Sequence, residues 1–467
     1  MNHRHTSAGH TRINRAVLIP VLALNIARVF GQSPLPPRDT SIAHQTSSTA
    51  PPATLTLTDA LALAEKNDPA LLAATSDLAA AREDRLQARA ASYPSLSGRS
   101  EYLATEGNGK LAESRFVTND GVHVYREWAV VHQDLSPGTL KGVAVKRASA
   151  AEALARAKMG IARRGLGATV TKNYYAWIVA QRKYATAQQA VAQAQRVLTI
   201  TQDLERGREV AHSDVVKSQL TEVAQEEALQ DAKLAMENAR LDLAVLLYRN
   251  FDEAFSVIDD LDKAPALPPL TDVETMASRE NPTLGAAMEA LRTANLDIEL
   301  ARQAYLPTLT VDAVYGIEAN AFALHSTVAA NKEAGPLPNL GYFITASLNI
   351  PVWDWGVRRS KVRQAEIKHE EAAVDLSLAQ RTAVRNLRGF YEEAQVARQQ
   401  VDLSRRAVDL SSESLRLNTL RYQAGEATIL DLVDAQNTLI QARNSYDDAM
   451  VRYRVAISNL QTLTGTF

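Results

Sequence analysis

Asp431 and Asp434 stand three residues apart in RYQAGEATILDLVDAQNTL (421–439), a spacing that puts both carboxylates on one face of a helix. Paired carboxylates do acid–base work or hold a metal ion when a pocket and a companion group surround them. The sequence offers no companion. It has no HExxH motif and no cysteine, and four of its nine histidines fall within the first 44 positions. His212, His325 and His369 are isolated and read as surface residues. No catalytic, cofactor-binding or metal-binding residue is therefore assigned. A structural reading fits the same residues. Thr428 and Asp431 form a [ST]-x-x-[DE] capping box, and acids in a first helical turn suit the helix dipole. Gly425, six residues before Asp431, is the residue type that turns a chain out of a helix at positive φ. A related stretch, ERGREVAHSD, places Gly207 seven residues before Asp214, which predicts a turn of different shape.

The elements that hold these residues are duplicated. With an offset of 213, Leu57-Thr58-Asp59 falls on Leu270-Thr271-Asp272, Pro69 on Pro282, Ala88-Arg89 on Ala301-Arg302, and Pro94 and Tyr102 on Pro307 and Tyr315. VAHSDVVKSQL (210–220) resembles ATILDLVDAQN (427–437) at an offset of 217. No proline occurs between Pro137 and Pro265 or after Pro351, and both blocks are rich in strong helix formers. The stretch from Lys141 to Glu205 reads as a helix of about 98 Å if Gly160, Gly165 and Gly167 leave it unbroken. The last helix carries a heptad seam: Leu432, Leu439, Tyr446, Tyr453 and Leu460, each followed three residues later by Ala435, Ala442, Ala449, Ala456 and Leu463. In the first unit Val215, Leu229, Met236 and Leu243 match it, with Glu222 interrupting.

Two blocks per unit alternate with period two, TLTVDAVYG and YFITASLNI, with SLSGRSEYLA and EWAVVHQDLS as weaker counterparts in which Trp128 is out of phase. The segments joining each pair, GNGKLAESRFVTNDG and EANAFALHSTVAANKEAGPLPN, have loop composition. About ten residues is the length of a tilted strand across a bilayer. Four such strands cannot close a barrel in lipid, whereas a ring of three chains would supply twelve.

Bulk composition narrows the partners. The 467 residues are 46% apolar but only 6% aromatic, so packing rests on Ala, Leu and Val. A net charge of -2 gives no reason to expect nucleic acid. Arg12 and Arg15 precede the short apolar run AVLIPVLALNI (16–26), so residues 1–31 read as an export signal. The absence of cysteine excludes a lipid anchor of the acylated kind. Residues 32–53 read as a flexible linker, 54–260 as the first repeat with a β-hairpin at 95–136, 261–270 as an inter-repeat linker, and 271–467 as the second repeat with a β-hairpin at 307–351.

From Leu55 to Gly465 the chain resembles the TolC-type outer-membrane efflux family, through the duplication, NDPAL and ENPTL, YPSLS and YLPTLT, LNIPVWDWG, and above all RYQAGEATILDLVDAQNTL. The resemblance implies a mainly α fold with a small β part: a homotrimer with a long α-barrel through the periplasm and a twelve-stranded β-barrel in outer-membrane lipid. It implies a passive exit duct for a tripartite efflux or type I secretion system, partnered by a periplasmic adaptor and an inner-membrane transporter. A poreless periplasmic scaffold or adaptor is the alternative. The family's periplasmic gate maps by position onto Asp431, Asp434, Tyr422 and Asp214, and its adaptor-docking tips onto Ala424, Gly425, Glu426, Gly207 and Arg208. The arginine that some members carry two residues after the glycine is Ala427 here, with Arg421, Arg206 and Arg208 as possible substitutes.

Overall fold

The computed structural model describes residues 53–104, 123–249, 255–319, 322–329 and 336–465. The export signal, most of the linker after it and the GNGKLAESRFVTNDG segment lie outside these residues. The first half contains β1 (Ala53–Leu55), α1 (Leu57–Asn67), α2 (Pro69–Ala90), β2 (Ser95–Ala104), β3 (His123–Asp134), α3 (Pro137–Lys141), α4 (Val143–Arg206), α5 (His212–Leu247) and β4 (Phe255–Val257). The second half contains α6 (Leu270–Glu280), α7 (Pro282–Gln303), β5 (Thr308–Ala319), β6 (His325–Ala329), β7 (Pro336–Pro338), β8 (Leu340–Asn349), α8 (Val357–Gln423) and α9 (Ile429–Thr464).

The repeated NDPAL and ENPTL motifs are stop–start signals. Proline cannot continue α1 or α6 but is well placed at the first position of the next helix. Asp68 caps α2 by accepting from the Leu71 amide at 2.7 Å. Asn281 caps α7 by accepting from the amides of Thr283 and Leu284 at 3.0 and 3.2 Å. Each short helix is thus redirected into a longer one whose first turn is capped by a side chain.

The four long helices form two hairpins, α4–α5 and α8–α9. Each packs within itself, and α4 also packs along α9. Helix α4 runs for 64 residues straight through Gly160, Gly165 and Gly167. A mid-helix glycine costs up to about 1 kcal/mol. Burial of Leu166, Val170, Tyr174, Tyr175, Trp177 and Ile178 on the same helix offsets that cost. The α9 seam faces inward, with Leu432, Leu439, Tyr453, Leu460, Ala435, Ala449 and Ala456 all buried. The α5 seam is buried only at its ends, Val215 and Leu243, as the interruption at Glu222 foretells.

The segment between the halves is more than a loop. Leu261 is fully buried in the main core beside Tyr174, Leu243 and Leu247, and Tyr174 donates to the Ile258 carbonyl at 2.8 Å. The parallel pair β1–β4 closes the same region, so Ala53, at the edge of the expected linker, already belongs to a strand.

Four strands form one antiparallel sheet in the order β2-β3-β5-β8, which leaves β2 and β8 as edges. Directly opposed residues share a face, and the register separates a mainly apolar face from a mainly polar one, the latter also holding Val130, Val314 and Phe343. One face carries Leu96, Tyr102, Tyr125, Ala129, Val131, Ala313, Tyr315, Tyr342 and Ile344, together with Glu127 and Ser100, which are hydrogen-bonded to each other. The other carries Arg99, Glu101, Arg126, His132, Asp312, Glu318 and Thr345. On it Arg126 bridges Glu101 and Glu318 at 3.0 and 2.9 Å, and His132 meets Asp312 at 2.6 Å. Trp128 is out of phase because it sits on this polar face, edge-on to Phe343 with centroids 5.8 Å apart and under the Arg126 guanidinium. Part of the segment between β5 and β8 is a β6–β7 ribbon rather than plain loop. Among the described residues no helix is long and apolar enough to cross a membrane.

Candidate functional site

The two hairpins end in turns that lie side by side, and the candidate gate and docking residues lie on these turns or in the helix ends that flank them. The second turn is built as the capping rules require. Gly425 has φ +76°. Its amide donates to the Tyr422 carbonyl at 3.1 Å, and the Glu426 amide donates to the Arg421 carbonyl at 2.8 Å. This pair of bonds is the Schellman motif. Helix α9 then opens with a complete capping box. The Thr428 amide and hydroxyl donate to Asp431 at 2.9 and 2.7 Å, while the Asp431 amide donates to the Thr428 hydroxyl at 3.3 Å. These bonds hold the Asp431 carboxyl below the usual aspartate range: the Thr428 amide contributes most, then its hydroxyl, with the nearby Arg421 charge adding to them.

The first turn has the same shape, contrary to the expectation from its glycine. The Arg208 amide donates to the Glu205 carbonyl at 2.8 Å and the Glu209 amide to the Leu204 carbonyl at 2.9 Å, again the Schellman pair. Arg208, with φ +65°, holds the left-handed position, and Gly207 before it is right-handed. Counted from the left-handed residue, Asp214 and Asp431 are each six positions on, so the extra residue seen in the sequence disappears. Asp214 and Asp431 also occupy the same third position of their helices. The caps differ, because the α5 cap is Ala211, which has no side-chain acceptor. His212 is exposed but not isolated: its Nδ1 lies 2.8 Å from Glu205 Oε1 across the turn.

A cavity of about 450 Å³ lies between the turns, lined by Glu209, Val210, Asp214, Tyr422, Ala427 and Leu430 among others. It brings Asp214 and Tyr422 to one place. Asp431 and Asp434 lie on the exposed surface of α9, as do Ala424, Gly425, Glu426, Gly207 and Arg208 on the turns. Tyr422 is buried, and its hydroxyl contacts Thr201 Oγ1 at 3.0 Å rather than the Asp214 carboxylate. Burial pushes the Tyr422 phenol above its ordinary value. Thr201 is in turn 3.2 Å from the Ser218 hydroxyl. Neither Thr201 nor Ser218 carries a motif, and only their fully buried position reveals them.

Ala427 packs against an apolar cluster of Val197, Tyr422, Ile429 and Leu432. The three arginines near the tips are engaged elsewhere or exposed. Arg206 pairs with Asp203 in its own helix, Arg421 donates to the Glu426 carbonyl at 3.2 Å, and Arg208 is exposed on its turn. Among the described residues none of them forms an ion pair with Asp214, Asp431 or Asp434, and no group of three or more His, Cys, Asp or Glu is placed to hold a metal ion.

Long helical hairpins carrying a sheet with open edges make up the fold that solved outer-membrane channels share. Residues 275–466 match the family described as outer membrane efflux protein. Over 415 residues the chain is 25% identical to outer membrane protein TolC of Vibrio cholerae, covering 86% of this chain and 89% of that protein. It is 26% identical to outer membrane protein TolC of Escherichia coli over 191 residues, which span 41% of this chain and only 39% of the relative. Among solved structures, outer membrane protein VceC from Vibrio cholerae superposes with a TM-score of 0.75 at 17% identity, over 88% of this chain and 96% of that one. The last likeness shows the fold. Over residues 275–466 the chain is similar to the outer membrane efflux protein family, and the TolC relatives extend that similarity along most of its length.

Proposed function

We propose that this chain is one protomer of a trimeric exit duct that crosses the outer membrane and extends through the periplasm. The β-sheet carries the argument. Its mainly apolar face suits lipid and its mainly polar face suits an aqueous lumen, but β2 and β8 present unpaired backbone groups. Such groups are too costly in hydrocarbon to leave open. Pairing β8 of one copy with β2 of the next closes twelve strands from three copies. Trp353 and Trp355, 73% and 89% exposed just after β8, suit the membrane interface.

The helices support the same assembly. Helix α8 packs mainly on α9, and α5 on α4. Each leaves an exposed apolar stripe. On α8 it runs Val396, Leu403, Leu410, Leu417, every seven residues, and on α5 it includes Val216, Leu220, Val223 and Leu234. Stripes of this period seek a neighbouring helix. In the assembly the two repeats, 54–260 and 271–467, each supply one β-hairpin and one long helical hairpin, following an export signal at 1–31. The paired turns form the periplasmic mouth. There Tyr422, Asp214, Asp431 and Asp434 make the gate, with the two exposed acids repeated as carboxylate rings that favour cations. Ala424, Gly425 and Glu426, with Gly207 and Arg208, meet a periplasmic adaptor that links the duct to an inner-membrane transporter.

Membrane fractionation with mass measurement in detergent tests the duct. A trimer in the outer membrane is expected, and a soluble monomer would instead indicate a poreless periplasmic scaffold. Single-channel recording tests the rings: Asp431→Ala with Asp434→Ala should weaken cation selectivity and block by multivalent cations, and no change in either removes their role.

A further inference from the structure

We propose that the mouth of this duct is held shut by a buried, uncharged hydroxyl relay, Tyr422–Thr201–Ser218, with Thr201 and Ser218 as positioning residues of the gate. The inference rests on reading the paired turns as the gate. Tyr422 belongs to α8, Thr201 to α4 and Ser218 to α5, so the relay ties one hairpin to both helices of the other. Their exposures are 3%, 0% and 1%, which makes this a dry contact.

Proton bookkeeping sets its direction. The Thr201 hydroxyl donates its single proton to the Val197 carbonyl at 2.9 Å. Thr201 Oγ1 is then left with two acceptor positions. Tyr422 must donate into one of them at 3.0 Å, and Ser218 faces the other at 3.2 Å. The single Ser218 proton is shared with the Asp214 carbonyl at 3.0 Å, so the relay ends on the backbone of the acid that the family pattern assigns to the gate. Swinging the α8–α9 hairpin away would leave the Tyr422 hydroxyl without its acceptor beside an apolar cluster, the costly way to lose a hydrogen bond. The surroundings match an uncharged device. Ala427 occupies the position where an arginine would sit, and it packs against Val197, Ile429 and Leu432. An ion pair at a solvated mouth weakens as salt rises, whereas buried hydroxyl bonds are screened far less.

Single-channel recording of the full-length protein tests this. Thr201→Val keeps the shape of the side chain and removes the acceptor, and Tyr422→Phe removes the donor. Each should raise open-state occupancy by roughly 5- to 10-fold. The double variant should open no more than the stronger single one, because both lesions break one bond. Thr201→Ser should behave as wild type, and raising salt should leave wild-type occupancy unchanged. Wild-type gating in Thr201→Val, additive effects in the double variant, a leaky Thr201→Ser, or opening by salt would each overturn the relay. Hydrogen exchange reads the same bond without a pore. Thr201→Val should speed exchange at amides near 201 and 422 together, and unchanged protection there overturns the relay. A wild-type protein that forms no pore but responds in this way would sink the duct and leave the relay standing.

Discussion

The tip between α4 and α5 and the tip between α8 and α9 share one backbone turn and build it from different residues. In the second, Gly425 takes the left-handed position and Thr428 caps the helix that follows. In the first, Arg208 is forced left-handed and Ala211 offers no cap. An L-residue pays about 1–2 kcal/mol for that backbone conformation, and a missing cap costs about 1 kcal/mol more. The two copies therefore share one turn geometry, and the first has the lower local stability. The capped copy is also the one that bears the exposed acid pair.

Exchanging the turn residues gives the largest expected effect. Gly425→Arg should destabilise its turn by about 1–2 kcal/mol. Arg208→Gly should gain somewhat less, since glycine also adds freedom to the unfolded chain. Hydrogen exchange at residues 421–431 and 204–214 would show opposite changes, and equal changes at both tips would break the comparison. Next in size is the cap. Thr428→Ala should cost about 1 kcal/mol, read as faster exchange in the first turn of α9, while Ala211→Thr should slow exchange in the first turn of α5. The smallest effect is that of pH. The Asp431 carboxyl is held below its ordinary value, chiefly by the Thr428 amide. Its contribution is therefore present above the unfolded-state aspartate value and is lost as pH falls through the lower folded one. Protection at the α9 tip should fall on acidification in the wild type, and much less so in Asp431→Asn.

Much of the fold was legible because it follows from local rules. The Pro-free blocks marked the long helices, and period-two runs marked β2, β5 and β8. The α9 heptads marked the buried seam. The site was legible only in part. Gly207 suggested a distorted turn because glycine is the usual left-handed residue, and only the backbone shows that Arg208 takes that role. Trp128 looked like noise in a strand, since its partner Phe343 is distant in sequence. Leu261 looked like linker until its burial placed it in the core.

The residue order by itself determined the duplication, the long helices, the capping box at Asp431 and the pairing of Asp214 with Asp431, because each depends on spacing along one segment. Tertiary structure alone decided that Tyr422 reaches Thr201 instead of the Asp214 carboxylate, and that Ala427 lies on an apolar cluster. It also sorted the sheet into a mainly apolar and a mainly polar face. Those outcomes depend on which helices and strands meet and in what register, and a hydroxyl such as Thr201 acquires a role only when packing removes it from water and supplies its partner.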